Sequence, residues 1–327
     1  MTGIFRANNP LNIFLLFVYG ILLKSVWLIH PPVPVIQKSN GFLFNEILAA
    51  IKPSFDLNPV MYTLITYLFL FTQAISFNQI LNSRRQMQKP NYLPAMSYLL
   101  ITSFFGEWNI LSAPLVVNTL LIWAWGRMSN LYNNSEAKTT LFNIGIAVGL
   151  CAFFYFPSIA FGLLIFFALL VTRPFRIPEW IIALAGILTP WYFLFVWLFL
   201  TDQLYSFHVV AGFKISPPVL MQNKGAYAGI IILVVICITG GIFVQSFLSK
   251  QVVQVRKNWA LMLLYLLVAL LIPFINLSHN FEYWILAAIP VSAFAACAFF
   301  YPTIKWVPPL LHWAMAGFVI YMEYLYN

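Results

Sequence analysis

Apolar runs long enough to cross a lipid bilayer recur from residue 11 to residue 324, separated only by short polar segments. Each run of about 20 apolar residues commits that stretch to a spanning helix, so no segment remains from which a soluble domain could be built. Composition agrees, since 8% of the 327 residues are charged and 62% apolar, where a water-soluble domain carries about a quarter charged. The expected fold is all-α, a polytopic transmembrane helix bundle forming one domain over residues 1–327.

Charge, proline and asparagine bound the runs at about 11–29, 59–81, 91–106, 112–126, 140–155, 158–172, 179–200, 227–248, 258–276, 283–303 and 307–324, eleven in all. The third and fourth are short for a hydrocarbon core of about 30 Å, and only Phe156-Pro157-Ser158 divides the fifth from the sixth. The first run follows Arg6, ends at Ile29-His30-Pro31-Pro32 and lacks an Ala-x-Ala-like cleavage site, so a retained anchor is expected.

The basic residues orient this layout. With the N-terminus cytoplasmic, Arg6, Arg84, Arg85, Lys89, Arg127, Lys138, Arg173, Arg176, Lys250, Arg256, Lys257 and Lys305 fall inside, twelve of the seventeen. Lys38, Lys52, Lys214 and Lys224 fall outside, with Lys24 near the outer end of the first span. An odd number of spans then sends the C-terminus outside. The net charge of +9 is accounted for by this cytoplasmic excess, and no nucleic-acid partner is expected, because no basic stretch is interleaved with aromatics in a polar segment. The acids lean the other way: Glu46, Asp56, Glu107, Asp202, Glu282 and Glu323 lie at or near the outer side, and Glu136 and Glu179 inside. Insertion does not require that bias, so polar chemistry is expected at the outer face.

The longest outer loop, 30–58, opens on Pro31-Pro32-Val33-Pro34 and then carries Phe44, Ile47, Leu48 and Ile51 at helical spacing. This stripe implies a helix lying along the membrane surface, with Asn45, Glu46 and Lys52 off the apolar side. Further outer loops are expected at 201–226, with Asp202, His208, Lys214 and Lys224, and at 277–282, with His279 and Glu282. No glycine-rich phosphate cradle, Gly-x-Ser-x-Gly or His-Glu-x-x-His occurs. Cys151, Cys237 and Cys297 sit singly in apolar runs, and the four histidines are far apart, so neither a metal nor another cofactor is expected. No internal repeat is evident and ionisable groups are nearly absent from the spans, which counts against a coupled transporter. His312, Asn12, Gln73, Asn78, Asn118, Asn143 and Gln245 are expected to be hydrogen-bonding groups between helices.

Two resemblances enter on motifs. Phe44-Asn45-Glu46-Ile47-Leu48-Ala49-Ala50, Glu107 near the start of the second outer turn, and Phe281-Glu282-Tyr283-Trp284-Ile285-Leu286-Ala287-Ala288-Ile289-Pro290 resemble segments of the GT-C class of membrane glycosyltransferases. The usual acid pair of the first outer loop is here Asn45-Glu46, so one acid is missing. Asn91-Tyr92-Leu93-Pro94-Ala95 and Phe154-Tyr155-Phe156-Pro157 are similar to motifs of a family of bacterial multi-pass inner-membrane proteins, a likeness that implies location but no activity.

The GT-C resemblance implies transfer of a sugar from a polyprenyl-phosphate donor at the outer face of the inner membrane. Such chemistry needs a carboxylate to take the acceptor's hydroxyl proton and cationic groups to stabilise the departing phosphate. Glu46 is the expected base, Glu107 orients the acceptor or supports the base, and Lys38, Lys52, Lys214, Lys224 and His279 are the expected phosphate partners. Membrane lipid is the surrounding partner in every case. The missing acid keeps open a non-catalytic subunit docking on protein partners of an envelope-assembly or secretion complex, and a lipid or sugar-lipid carrier is a third alternative.

Overall fold

The computed structural model describes residues 2–37, 40–203, 224–275 and 281–324, with the side chains of Lys224 and Tyr324 outside the description. Among these residues helix is the only regular secondary structure, without a strand. The α-helices run in order α1 Thr2–Phe5, α2 Leu11–Leu23, α3 Ser25–Ile29, α4 Phe42–Phe55, α5 Val60–Ser83, α6 Leu93–Ile101, α7 Ala113–Met128, α8 Ala137–Phe154, α9 Gly162–Thr172, α10 Ile177–Leu200, α11 Lys224–Leu248, α12 Val253–Leu271, α13 Ala288–Phe300 and α14 Val307–Tyr324. Short 3-10 turns cover Gly106–Asn109, Phe156–Phe161, Ile272–Ile275 and Glu282–Ala287.

Among the described residues six segments are long and apolar enough to cross a membrane: Val60–Ser83, Ala137–Phe154, Ile177–Leu200, Gly225–Leu248, Val253–Ile275 and Glu282–Phe300. These coincide with six of the expected spans. Their outer surfaces are apolar as well. On α10, Ile181, Leu184, Leu188, Phe193, Trp197 and Leu200 are all exposed, apolar surface along the whole helix that water would not tolerate and lipid does. The protein therefore has the character of a multi-pass helical membrane protein.

Of the other expected spans, 112–126 and 307–324 are continuous helices, and three differ in form. The first is broken at Lys24 into α2 and α3. Residues 91–106 hold only the nine residues of α6, about 13 Å of helix and well short of a bilayer. All nine of its side chains are buried, so α6 lies inside the bundle, where a short helix needs no lipid-spanning length because protein surrounds its ends. The Leu93 N–H donates to Asn91 Oδ1 at 3.0 Å, and the Ser103 hydroxyl donates to the Leu99 carbonyl at 2.9 Å. Residues 158–172 form a 3-10 turn leading into the eleven-residue α9, with Pro157 at the junction.

Small residues set how closely helices approach. A Cβ placed on Gly145 would lie 2.7 Å from the Ala183 carbonyl oxygen, and one on Gly186 2.5 Å from that of Phe142. Gly145 and Gly149 form a Gly-x-x-x-Gly ridge on α8 that brings α10 into backbone contact. A second such contact lies between Gly240 of α11 and Phe294 of α13.

Buried polar groups cross-link the centre. The Tyr98 hydroxyl donates to Gln73 Oε1 at 2.6 Å, Gln73 Nε2 donates to the Leu115 carbonyl and Thr119 Oγ1, both at 2.8 Å, and Asn118 Nδ2 donates to the Ile285 carbonyl at 3.0 Å. Tyr19 and His312 are joined at 3.0 Å. Gln73, Asn118 and His312 thus hold helices together as expected, whereas Asn12 bonds locally to the Ile4 and Ala7 carbonyls.

Contacts between loops fall into two sets at opposite ends of the helices. One end joins Arg84 to Asn130, Arg173 to Leu131 and Asn134, Gln254 to Ser129, Trp259 to Gln86 and Arg6 to Phe300. The other joins Gln37 to Glu282, Gly41 to Phe154, Trp108 to Phe281 and Trp27 to Glu323.

Candidate functional site

At the second of these ends a cavity of about 620 Å³ opens beside the turn that follows α6. Its walls come from Trp27, Ile29 and His30 at the end of α3, from Ser103 to Glu107 and Ile110, from Ala226 on α11, and from Met322 and Glu323 on α14. The local sequence explains the opening. After Ile101 the chain carries Thr102, Ser103, Gly106, Glu107 and Asn109, residues that bond backbone or favour turns, and the helix stops.

Glu107 is the best-held carboxylate in this wall. Its Oε2 accepts the backbone N–H of Phe281, and the backbone N–H of Glu282 adds a second bond. Trp108 Nε1 donates to the Phe281 carbonyl at 3.2 Å, and the Trp108 and Phe281 rings stack with an interplanar angle of 6°. The turn 106–109 and the segment 281–287 are thereby zipped together. Burial pushes the Glu107 carboxyl above the ordinary carboxylate range, a shift opposed by the two backbone N–H groups.

Behind the wall lies a cation. Lys24 is only 4% exposed, and its Nζ donates to Asn109 Oδ1 and, at 3.4 Å, to Thr102 Oγ1. Glu323, in the wall itself, accepts from Trp27 Nε1 at 3.1 Å and attracts Lys24 electrostatically. Lys24 and Glu323 were not singled out by motif. The available signal was physical, namely a lysine inside an apolar run, which persists there only when given partners.

A second, apolar hollow of about 270 Å³ lies between α6, α11, α12 and the 281–291 segment, walled by residues including Ile101, Leu233, Cys237, Leu266, Trp284 and Val291. Phe105 belongs to the walls of both hollows.

The expected site residues are distributed as follows. Glu107 lines the cavity. Glu46 stands exposed on α4, outside the cavity lining, with no hydrogen-bond partner among the described residues, and Lys52 is exposed further along the same helix. Lys38, Lys214 and His279 lie outside the described residues, as does the Lys224 side chain, although α11 begins at Lys224, two residues before Ala226 of the cavity wall.

The surface helix expected around Glu46 is present as α4, and it is seated on protein. Phe44 and Leu48 are buried, Phe42 meets Phe153, and the Gly41 N–H donates to the Phe154 carbonyl at 2.6 Å. Ile47, expected on the buried stripe, is 45% exposed, because docking on the end of α8 selects the Phe44–Leu48 side. Gly41 permits this seat, since a Cβ there would lie 2.1 Å from the Phe153 carbonyl oxygen. Among the described residues no cluster of metal-ligating groups occurs.

No family model, curated protein or solved structure matches the chain.

Proposed function

We propose that the chain is an eleven-span protein of the bacterial inner membrane, N-terminus cytoplasmic and C-terminus outside, that transfers a sugar from a polyprenyl-phosphate donor at the outer face in the manner of a GT-C glycosyltransferase. The observation carrying this reading is the pairing of a carboxylate-bearing cavity with an apolar hollow through the shared Phe105 wall. An amphiphile with a polar head and an isoprenoid tail matches that pairing, because each part meets surface of its own polarity. The acceptor hydroxyl attacks the anomeric carbon and passes its proton to a carboxylate. The carbon–oxygen bond to phosphate breaks with its electron pair leaving on the polyprenyl phosphate.

In this proposal Glu107 is the proton acceptor. It lies in the cavity, and a carboxyl raised by burial is a better base than an exposed one. Glu46, the base expected from the sequence, is exposed outside the cavity lining and is not the proton acceptor in this proposal. Purified protein with a polyprenyl-phosphate sugar donor should turn over, and Glu107→Gln should lower turnover by about 10²-fold or more. Glu136→Gln, on an exposed loop at the other end, serves as the control. Equal turnover in the two variants would sink the assignment of Glu107.

A second reading, a non-catalytic membrane subunit, draws on one specific feature. Among the described residues the cavity wall carries Glu107 and Glu323 but no lysine or arginine, and Lys24 behind it is already bonded to Asn109. Stoichiometric co-purification with a larger membrane complex, without donor turnover, would favour that reading.

A further inference from the structure

The end opposite the carboxylate cavity holds a hollow of different character. It measures about 550 Å³ and is bordered by the loop Tyr132–Ser135, the end of α9 and the start of α10, with Arg173, Arg176 and Lys257 in its wall. No carboxylate lines it.

The three cations are not equally engaged. Arg173 Nε pairs with Glu179 Oε2 at 2.8 Å, and its Nη1 donates to the Leu131 and Asn134 carbonyls at 3.1 and 2.9 Å. That leaves both hydrogens of Nη2 without an acceptor among the described residues. Lys257 lies 4.4 Å from the Tyr132 ring centroid and donates to the Thr172 carbonyl at 3.3 Å, so its charge meets no acid. Arg176 is exposed, and its side chain has no partner among the described residues. Set against the single carboxylate of Glu179, three cations leave two positive charges uncompensated. Glu136 and Lys138, exposed beside the loop, offset each other.

Apolar surface adjoins this charge. Leu170 of the hollow's wall is 60% exposed, and Phe175 and Ile177, which flank Arg176, are 69% and 62% exposed. A site with one fixed arginine donor at Arg173, surplus positive charge and an apolar margin suits a phosphate that carries acyl chains.

We propose that this hollow binds the phosphodiester headgroup of an anionic phospholipid, with Arg173 Nη2, Arg176 and Lys257 on the phosphate and the acyl chains along Leu170, Phe175 and Ile177. The site is independent of the sugar-transfer reading and requires only that the protein sit in a bilayer. It makes the lipid a structural clip between the 132–135 loop and the start of α10.

The test measures lipid retention by native mass spectrometry of the purified full chain, with phosphatidylglycerol against phosphatidylcholine. Wild type should retain phosphatidylglycerol preferentially. Arg176→Gln should reduce that preference about fivefold and Arg176→Gln/Lys257→Gln about 30-fold, on the scale of one surface cation each. Arg256→Gln, an exposed cation outside the hollow, controls for general surface charge and should leave the preference intact. The Arg176 side chain has no hydrogen-bond or ion-pair partner among the described residues, and its helix-start contact is made by the backbone carbonyl to the Glu179 N–H, so the single variant leaves that contact in place. An equal loss from Arg256→Gln would overturn the proposal. So would displacement of the lipid by millimolar inorganic phosphate, which would mark a free-anion site.

Discussion

The contact between α11 and α13 offers a sharp physical test, because Gly240 and Gly241 are adjacent and differ completely in surroundings. A Cβ on Gly240 would lie 1.9 Å from the Phe294 carbonyl oxygen, whereas one on Gly241 meets nothing within 4 Å. Real Cβ atoms do not approach closer than 3.0 Å, so Gly240→Ala must push the helices apart by at least about 1.1 Å. The obstacle is backbone inside a helix and cannot rotate aside. A gap of that size forfeits a quarter to a half of each dispersion contact along the seam, and overpacking of this kind costs about 1–3 kcal/mol. Alanine returns up to about 1 kcal/mol in helix propensity at either position. Gly240→Ala should therefore destabilise by about 1–2 kcal/mol and Gly241→Ala should be neutral or slightly stabilising. Reversible unfolding in mixed detergent micelles, followed by tryptophan fluorescence, measures the difference directly. Equal midpoints for the two variants would refute the close approach of α11 to α13. The displacement also reaches the apolar hollow, whose wall includes Leu233 and Cys237 of α11 and Val291 of α13, so Gly240→Ala should weaken retention of any isoprenoid bound there.

The remaining expectations are independent of one another. Burial raises the Glu107 carboxyl, so the stability it contributes is fully present below the ordinary carboxylate pKa and is lost as pH rises through the folded value. Melting temperature should fall across that window in wild type and stay flatter in Glu107→Gln; parallel curves would show that Glu107 is not desolvated. Glu179→Gln breaks the Arg173 pair, in which both side chains are largely buried at 12% and 4% exposed, and should cost about 2–4 kcal/mol in the same unfolding assay. Lys24→Met and Glu323→Gln should each destabilise alone, while the double variant should be less damaged than the sum, since each single change leaves a buried partner uncompensated; strict additivity would show the two groups to be uncoupled. Reporter fusions after Arg85 and after Asn327 should give cytoplasmic and external signals respectively, and the same side for both would overturn the proposed orientation.

Much of the helical layout was legible because hydropathy and helix length are local. The runs at 59–81, 140–155, 179–200, 227–248, 258–276 and 283–303 each overlap one of the long apolar helices, and the stripe at 44–51 became α4. Residues 91–106, short for a span by sequence, hold a nine-residue helix enclosed by other helices; hydropathy cannot distinguish a segment facing lipid from one facing protein. The candidate site was legible in part. Glu107 stood out as an acid at the start of an outer turn, but its bonds to Phe281 and Glu282 join positions about 170 residues apart, and no local pattern encodes such a pairing.

What the sequence by itself determined is therefore the solvent this chain folds in and roughly where its long helices lie, since both follow from the transfer free energy of consecutive side chains and the need to satisfy every backbone amide in lipid. Only the tertiary structure decided which acid faces a cavity, which lysine is buried, and that a polar and an apolar hollow meet at Phe105. Those outcomes depend on backbone approaches such as Gly145 against Ala183 and Gly240 against Phe294. Such approaches are set by the shapes of helices distant in sequence rather than by the hydropathy of either one.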